Sequence, residues 1–463
     1  MKEILIISLL GIVILALDIL KLRKLLLPSL FIGMLGLIGS AIMDWGQNEI
    51  PFAQYGGMLQ FDNYALIFTI AFAWIALAWF LMNSDHYALN SSKRTDIYAM
   101  VAFSLCGAVV LVSFTNLVML FLGVEILSIP VYVLAASNRT DKLSNEAGFK
   151  YFFMGSVASA ILLFGIALIY GATGSFELTK IQEMIATSSH HGVLFTLGSS
   201  LMLIGFLFKV SAAPFHMWTP DVYQGAPTPI TAYMSTIVKG AAVAGMFRLF
   251  LNIGAGPQEN LTTALVVIIA LTLIVSNVIA AVQTNAKRLL AYSSVSHAGF
   301  MLGFLVHVQA ENSMYLFFYV LTYSLASFAA FSVVQHVSQY QQGATDVLSF
   351  KGLNKQNRLL AFTMTVALLS MAGIPPLSGF MAKYYVMSDL VAHGHLPLVI
   401  IMVITSAIGA YYYLKLIMEI YTPIDNAGRI VIGTWQRWMY MKLLTLLIAL
   451  FFASSLLQLL VIP

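Results

Sequence analysis

Charge is scarce in this chain. Asp, Glu, Lys and Arg make up 9% of its 463 residues, against about 25% in a soluble domain. Cysteine is scarcer still: the one thiol, Cys106, lies in an apolar run and is expected as a small packed side chain. A single cysteine excludes an internal disulfide, a cysteine-based zinc site and an iron–sulfur cluster held by this chain alone. The 23 Lys and Arg stand against 19 Asp and Glu, a net charge of +4. That is too dilute for a nucleic-acid-binding face. No Gly-rich fingerprint follows a strand pattern, so a dinucleotide site is not expected either. What is abundant is apolar surface, 60% of residues with a mean hydropathy of +0.89. No single core can absorb it, so the lipid bilayer must be the solvent.

About 20 apolar residues cross a bilayer as one helix. The opening segment lacks a small-residue cleavage site and runs into Lys21, Arg23 and Lys24 before a second apolar stretch. It therefore reads as a transmembrane helix and not as a secretory signal. Thirteen further apolar runs follow, at about 25–42, 64–82, 97–114, 116–135, 149–170, 192–218, 228–251, 261–283, 288–308, 313–337, 359–390, 397–420 and 441–462. The expectation is an all-α polytopic membrane protein of about 14 transmembrane helices. Basic residues fall in alternate loops: Lys21, Arg23, Lys24, Lys93, Arg94, Arg139, Lys142, Lys150, Lys287, Arg288, Lys351, Lys355, Arg358, Arg429, Arg437 and Lys442 on one side, and only Lys2, Lys180 and Arg248 on the other. Cytoplasmic loops carry the Lys/Arg excess, which puts both termini in the periplasm if the membrane is a bacterial inner membrane.

Two runs are too long to be straight. Residues 359–390 would reach about 48 Å as one helix, across a hydrocarbon core of about 30 Å. The middle reads Gly373-Ile-Pro-Pro-Leu-Ser-Gly379, which interrupts backbone hydrogen bonding. Run 192–218 is broken at Pro214. Pro214 and Pro375 are 161 residues apart, and Ile97 to Leu261 and Phe149 to Ser313 each span 164. This offset predicts a duplicated five-helix unit, inverted because five is odd, with one discontinuous helix in each copy, as in many ion-coupled transporters. The expected division is three N-terminal helices in 1–95, a first repeat in 96–251, a second in 252–420, and a loop and last helix in 421–463.

A charge at the bilayer centre costs about 2.5–3.5 kcal/mol on insertion scales. Glu125 lies nine residues into its span, about 14 Å deep. Lys209 precedes the first break, Lys239 sits eleven residues into the next span, and Lys383 follows the second break. A desolvated lysine loses part of its preference for the charged form and can exchange protons, whereas a nearby carboxylate opposes this. A fixed Glu125–Lys209 ion pair is the bland alternative. Lys415 and Glu419 have the spacing of an ordinary helical pair. His297, among Ser293, Ser294 and Ser296, is weighed evenly between proton relay and buried structural histidine. His216, beside Asp221 past the break, is the second relay candidate. His86, His190, His191, His393 and His395 read as loop residues, and His307 and His336 as residues near helix ends.

The run from Lys209-Val-Ser-Ala-Ala-Pro-Phe-His216 through Asp221-Val-Tyr-Gln-Gly-Ala-Pro to Lys239-Gly240, with Asn285 to Ser294, Gly373 to Phe380 and Gly123-Val-Glu125, closely resembles the subunit N family of antiporter-like subunits. These subunits belong to the bacterial proton-pumping NADH:quinone oxidoreductase, respiratory complex I. The broken-helix lysines are shared with sister subunits L and M and with multisubunit sodium/proton antiporters. The Asp221-Val-Tyr-Gln run points to N, and the C-terminus is short where L would carry a long lateral helix. His297 and His216 remain relay candidates read from the residues themselves; the resemblance implies a Glu125–Lys209 charge pair, Lys239 as the central proton carrier and Lys383 on the exit side. It implies no cofactor in this chain. NADH, FMN, iron–sulfur clusters and quinone belong to other subunits, and the partners are the other membrane subunits, including the sister antiporter-like ones. The competing functions are a subunit of a multisubunit Na+/H+ antiporter or related membrane-bound hydrogenase, and a structural spacer whose buried charges lock helices together.

Overall fold

The computed structural model describes residues 2–46, 57–84, 92–187, 192–253, 259–424 and 428–454. His86, His190, His191 and the side chain of Lys93 lie outside the described residues. Apart from three isolated bridges, the described chain is helices and turns. The helices are α1 Lys2–Ile19, α2 Leu26–Asp44, α3 Asn63–Met82, α4 Ser92–Ser113, α5 Leu117–Ala135, α6 Lys142–Thr173, α7 Leu178–Thr187, α8 Val193–Val210, α9 Trp218–Gly225, α10 Thr228–Ile253, α11 Glu259–Ala281, α12 Ala286–Leu302, α13 Asn312–Tyr340, α14 Arg358–Ala372, α15 Ser378–Ala392, α16 Leu396–Tyr421 and α17 Thr434–Ala453. Eleven helical stretches are long and apolar enough to cross a membrane. The protein is a multi-pass membrane protein.

Burial sorts these helices by their neighbours. α10 and α13 are buried along almost their whole length, so their hydroxyls and charges meet protein. α6 turns Phe149, Phe152, Phe153, Val157 and Phe164 outward, as a lipid-facing helix must. α6 and α8 pack against each other over most of their length. Glycines allow it: a Cβ on Gly165 would lie 2.8 Å from the Gly198 carbonyl oxygen, and one on Gly198 would lie 2.9 Å from that of Gly165. Lipid tails are as apolar as leucine, so close backbone approach is the main source of attraction here.

Both expected breaks are present. α8 ends at Val210, where Ser211 turns left-handed (φ 66°) and its N–H caps Leu207 and Phe208. α14 ends at Ala372, where Gly373 does the same (φ 84°) over Leu369 and Ser370. A third parallel has no sequence signature of its own. Asn116 caps α5 and pairs with Glu177, while Asn285 caps α12 and pairs with Asp346. The backbone bonds are equivalent too: Leu117 N to Phe176 O (2.9 Å) and Leu178 N to Thr115 O (3.0 Å), then Ala286 N to Thr345 O (2.8 Å) and Val347 N to Thr284 O (2.7 Å). Every residue of the second junction is 169 positions after its counterpart in the first (116 and 285, 177 and 346).

Several expectations change. Lys287 and Arg94, read as loop residues, are 4% and 3% exposed. Lys415 and Glu419 make no ion pair; both project from α16 at intermediate exposure. His336 is buried, with Nδ1 3.0 Å from Tyr440 OH and Nε2 3.2 Å from Gln436 Oε1. The signal lay in α17, a hundred residues or more away, and so was invisible locally.

Overpacking a tight contact costs about 1–3 kcal/mol. Gly198→Leu should therefore lower the thermal stability and yield of the purified protein. Gly171→Leu, where nothing lies within 4 Å of the added Cβ, should leave both unchanged.

Candidate functional site

The three intramembrane lysines are buried, at 7% (Lys209), 2% (Lys239) and 6% (Lys383) exposed. Each is positioned by an irregularity in a helix. Lys209 stands in the last turn of α8. Its Nζ donates to Ser128 Oγ at 2.9 Å and to Tyr132 OH at 2.8 Å. Lys239 directly follows a π turn, Met234–Val238, inside α10, a feature frequent at functional positions. Its Nζ donates to Ser294 through the backbone oxygen (3.0 Å) and Oγ (2.8 Å), with the Tyr223 ring 6.0 Å away. Lys383, on α15, reaches back across the second break and donates to Ala372 O at 3.0 Å. That carbonyl closes α14, where the helix dipole favours a cation. Its Nζ also lies 5.0 Å from the centre of the Phe300 ring.

The structure does not join Glu125 to Lys209. Glu125 is half-buried on α5, and its Oε1 is buried with no hydrogen-bond partner. Ser128 and Tyr132 lie three and seven residues further along the same helix, on the face that Glu125 begins. They take the lysine in its place, which is why the expected charge pair is absent. His216 is 2% exposed, and neither ring nitrogen has a side-chain partner. It makes no bond to Asp221 and sits edge-on to Tyr292.

Asp221 has other work. Its Oδ2 accepts from Lys150 on α6 at 2.7 Å, and its Oδ1 accepts from Arg288 on α12 at 2.8 Å. Partial burial opposes ionisation of this carboxyl, but the hydrogen bonds from Lys150 and Arg288 outweigh it and hold Asp221 below its ordinary value.

His297 on α12 is 4% exposed. Its Nδ1 lies 3.0 Å from Tyr319 OH and its Nε2 3.5 Å from Tyr413 OH, and Tyr413 OH in turn bonds Ser293 Oγ. A cavity of about 10 Å3 borders His297, Tyr319, Tyr323, Ser370 and Gly379, room for about one water. Tyr319 and Tyr413 come from α13 and α16, and nothing near His297 in the sequence announces them. Ser128 and Tyr132 were within reach, since their spacing from Glu125 is helical. Among the described residues no group of three or more His, Cys, Asp or Glu side chains converges to hold a metal ion.

The profile of a family described as NADH:quinone oxidoreductase/Mrp antiporter, TM, matches residues 115–409. The chain belongs to this family. Among its relatives, NADH-quinone oxidoreductase subunit N of Cytophaga hutchinsonii is 42% identical over 91% of both chains. The subunit N of Flavobacterium johnsoniae is 41% identical over 91% of both. A chain of respiratory complex I from Thermus thermophilus superimposes with a TM-score of 0.83 at 32% identity over 98% of both chains. A chain of the Mrp complex from Dietzia sp. shares the fold, with a TM-score of 0.85 over 98% of this chain and 95% of that one, at 19% identity. The three lysines, His297 and both breaks fall inside the matched family region.

Leaving a buried donor short of an acceptor costs about 1–3 kcal/mol. Tyr132→Phe should lower thermal stability by that order through Lys209, while Tyr170→Phe, an exposed ring stacked on Phe176, should not. The Asp221 tie follows its depressed carboxyl: it is present above the ordinary value and lost only as pH falls through the lower one. Hydrogen-exchange protection of residues 218–225 should thus hold from neutral pH down to about pH 4 and fall below it. Asp221→Asn should show reduced protection at neutral pH and no acid step.

Proposed function

We propose that this chain is the proton-translocating subunit N of a bacterial NADH:quinone oxidoreductase. It moves protons across the membrane while NADH, FMN, iron–sulfur clusters and quinone work in other subunits. Membership of the family and 42% identity to a named subunit N over 91% of both chains support that identity. One observation carries the mechanism: among the described residues, Lys209, Lys239 and Lys383 are held only by hydroxyl and carbonyl oxygens and by no carboxylate. An ion pair would fix the charge on each amine. Neutral oxygens accept a hydrogen bond from the charged form and still allow it to release its proton.

In this reading Lys239 is the central carrier and Lys383 the exit-side carrier, with His297 and its hydroxyl neighbours between them. Glu125 and Lys209 begin the row, with Glu125 Oε1 left without a hydrogen-bond partner beside it. Sister antiporter-like subunits are the expected neighbours. His216 is a weaker relay candidate, since nothing in its surroundings hands it a proton.

The same proposal takes the architecture as about 14 helices in two inverted five-helix repeats, 96–251 and 252–420, preceded by three helices in 1–95 and followed by the last helix in 421–463. The twin breaks and the twin Asn-capped junctions support it. The basic face is taken as cytoplasmic and both termini as periplasmic, in the inner membrane. Exchange of sodium for protons by an antiporter module is the competing activity, and the shared fold with an Mrp chain keeps it in view.

In the assembled complex, Lys239→Ala should leave the amount of enzyme normal and reduce proton pumping per NADH oxidised at least fivefold, read by quenching of a pH-sensitive dye in inverted vesicles. Unchanged pumping would remove Lys239 from the path, and sodium-dependent pumping without NADH would favour the antiporter.

A further inference from the structure

One buried lysine has no part in the row just described. Lys287, in the first turn of α12, is 4% exposed and makes no ion pair among the described residues. Its Nζ donates to Gln224 O at 2.8 Å and to Ala226 O at 2.6 Å. These two carbonyls belong to the segment that links the first broken helix to α10. Above it opens a well of about 430 Å3, rimmed by Asp141, Gln224, Thr345 and Asp346 and bordered by Lys287. This volume accommodates several waters. It lies on the face that carries the excess of basic loops.

The geometry joins this well to the central carrier. Lys287 and Ser294 are seven residues apart on α12, two turns on the same face and about 10.5 Å along the axis. Ser294 is the residue that holds Lys239. The second connection runs through α9: Tyr223, whose ring lies 6.0 Å from Lys239 Nζ, immediately precedes Gln224, which holds Lys287. Both lysines thus hang on the same four-residue stretch and the same helix face.

Nor does the local fold require a lysine there. The first junction has the same Asn cap and the same backbone bonds, and its counterpart of Lys287, 169 positions earlier, is Val118, an exposed apolar residue. A cation is therefore specific to the second junction, where the well opens.

We propose that this well is the proton-uptake port of the subunit and that Lys287 is its proton-carrying residue. Lys287 takes a proton from water in the well under the acidic rim and passes it along the Ser294–Tyr223 side to Lys239. This rests on the reading of Lys239 as a proton carrier.

The test uses the assembled complex in inverted vesicles, where this face is outward, with pumping normalised to NADH oxidation by an artificial acceptor. Arginine keeps the charge and the donors but does not give up its proton at physiological pH. Lys287→Arg should therefore assemble and lose at least fivefold in pumping. Wild-type pumping in Lys287→Arg overturns the proposal. Ala344 also lines the well; Ala344→Trp leaves the lysine in place and should slow pumping, and no slowing overturns the port. Access is read separately. In a Cys106→Ser background, which leaves this chain without a native cysteine, Lys287→Cys should react with a membrane-impermeant maleimide added outside inverted vesicles. Protection from that reagent, with reaction in denaturant, counts against the well. If Lys239→Ala stops pumping and Lys287→Arg does not, the port falls and the carrier reading stands. If both pump normally, both fall.

Discussion

At membrane depth there is no water to complete a hydrogen bond, so each polar atom must find its partner inside the protein or lie against a wet cavity. The two interrupted helices turn this constraint into a device. Where α14 stops, its last carbonyls need donors. Gly373 N–H supplies some, and the Lys383 ammonium supplies another by folding back to Ala372 O. The lysine needs an oxygen, and the helix end needs a cation. Lys209 occupies the matching place in the last turn of α8 but turns away to Ser128 and Tyr132. A cation at a helix C-terminus gains about 0.3–1 kcal/mol from the dipole when exposed and more when partly buried, well below the desolvation loss of a buried ion.

This is also why the identity of the partner atoms decides the chemistry. Had Glu125 closed on Lys209, the pair would have been locked in one charge state, and breaking it would have cost several kcal/mol. Hydroxyls from Ser128, Tyr132 and Ser294 accept from the charged amine and can donate to the neutral one. Tyr319 and Tyr413 give His297 the same two-way partners. The three amines and the imidazole are thus set among oxygens that accept a hydrogen bond and, where they are hydroxyls, can also donate one.

Much of the fold was legible because its causes are local. Apolar runs, the Pro214 and Pro375 interruptions and the intramembrane charges are properties of ten or twenty consecutive residues, and the helices end where those properties change. The misreadings have one physical origin. Lys287 looked like a loop cation because its neighbours are Asn285 and Arg288, yet the chain returns at 224–226 to cover it. Glu125 and Lys209 looked like a pair because opposite charges attract in any list of residues, while Ser128 and Tyr132, nearer in space to the amine, carry no formal charge to draw notice. Tyr319 and Tyr413 reach His297 from helices far along the chain. The π turn before Lys239 depends on packing against α13 and leaves no compositional mark.

The twin junctions share a backbone pattern and differ in the side chains laid over it. Asn116 and Asn285 cap equivalent helices, and the pairings at Glu177 and Asp346 repeat bond for bond. Asymmetry enters through single residues laid over the shared backbone: valine at 118 against lysine at 287, a serine–tyrosine pair for Lys209 against the Ala372 carbonyl and the Ser406 hydroxyl for Lys383, and His297 on α12 where its counterpart α5 carries Ser128, 169 positions earlier. The backbone fixes where an ionisable group can sit inside lipid, and these substitutions decide what holds it there.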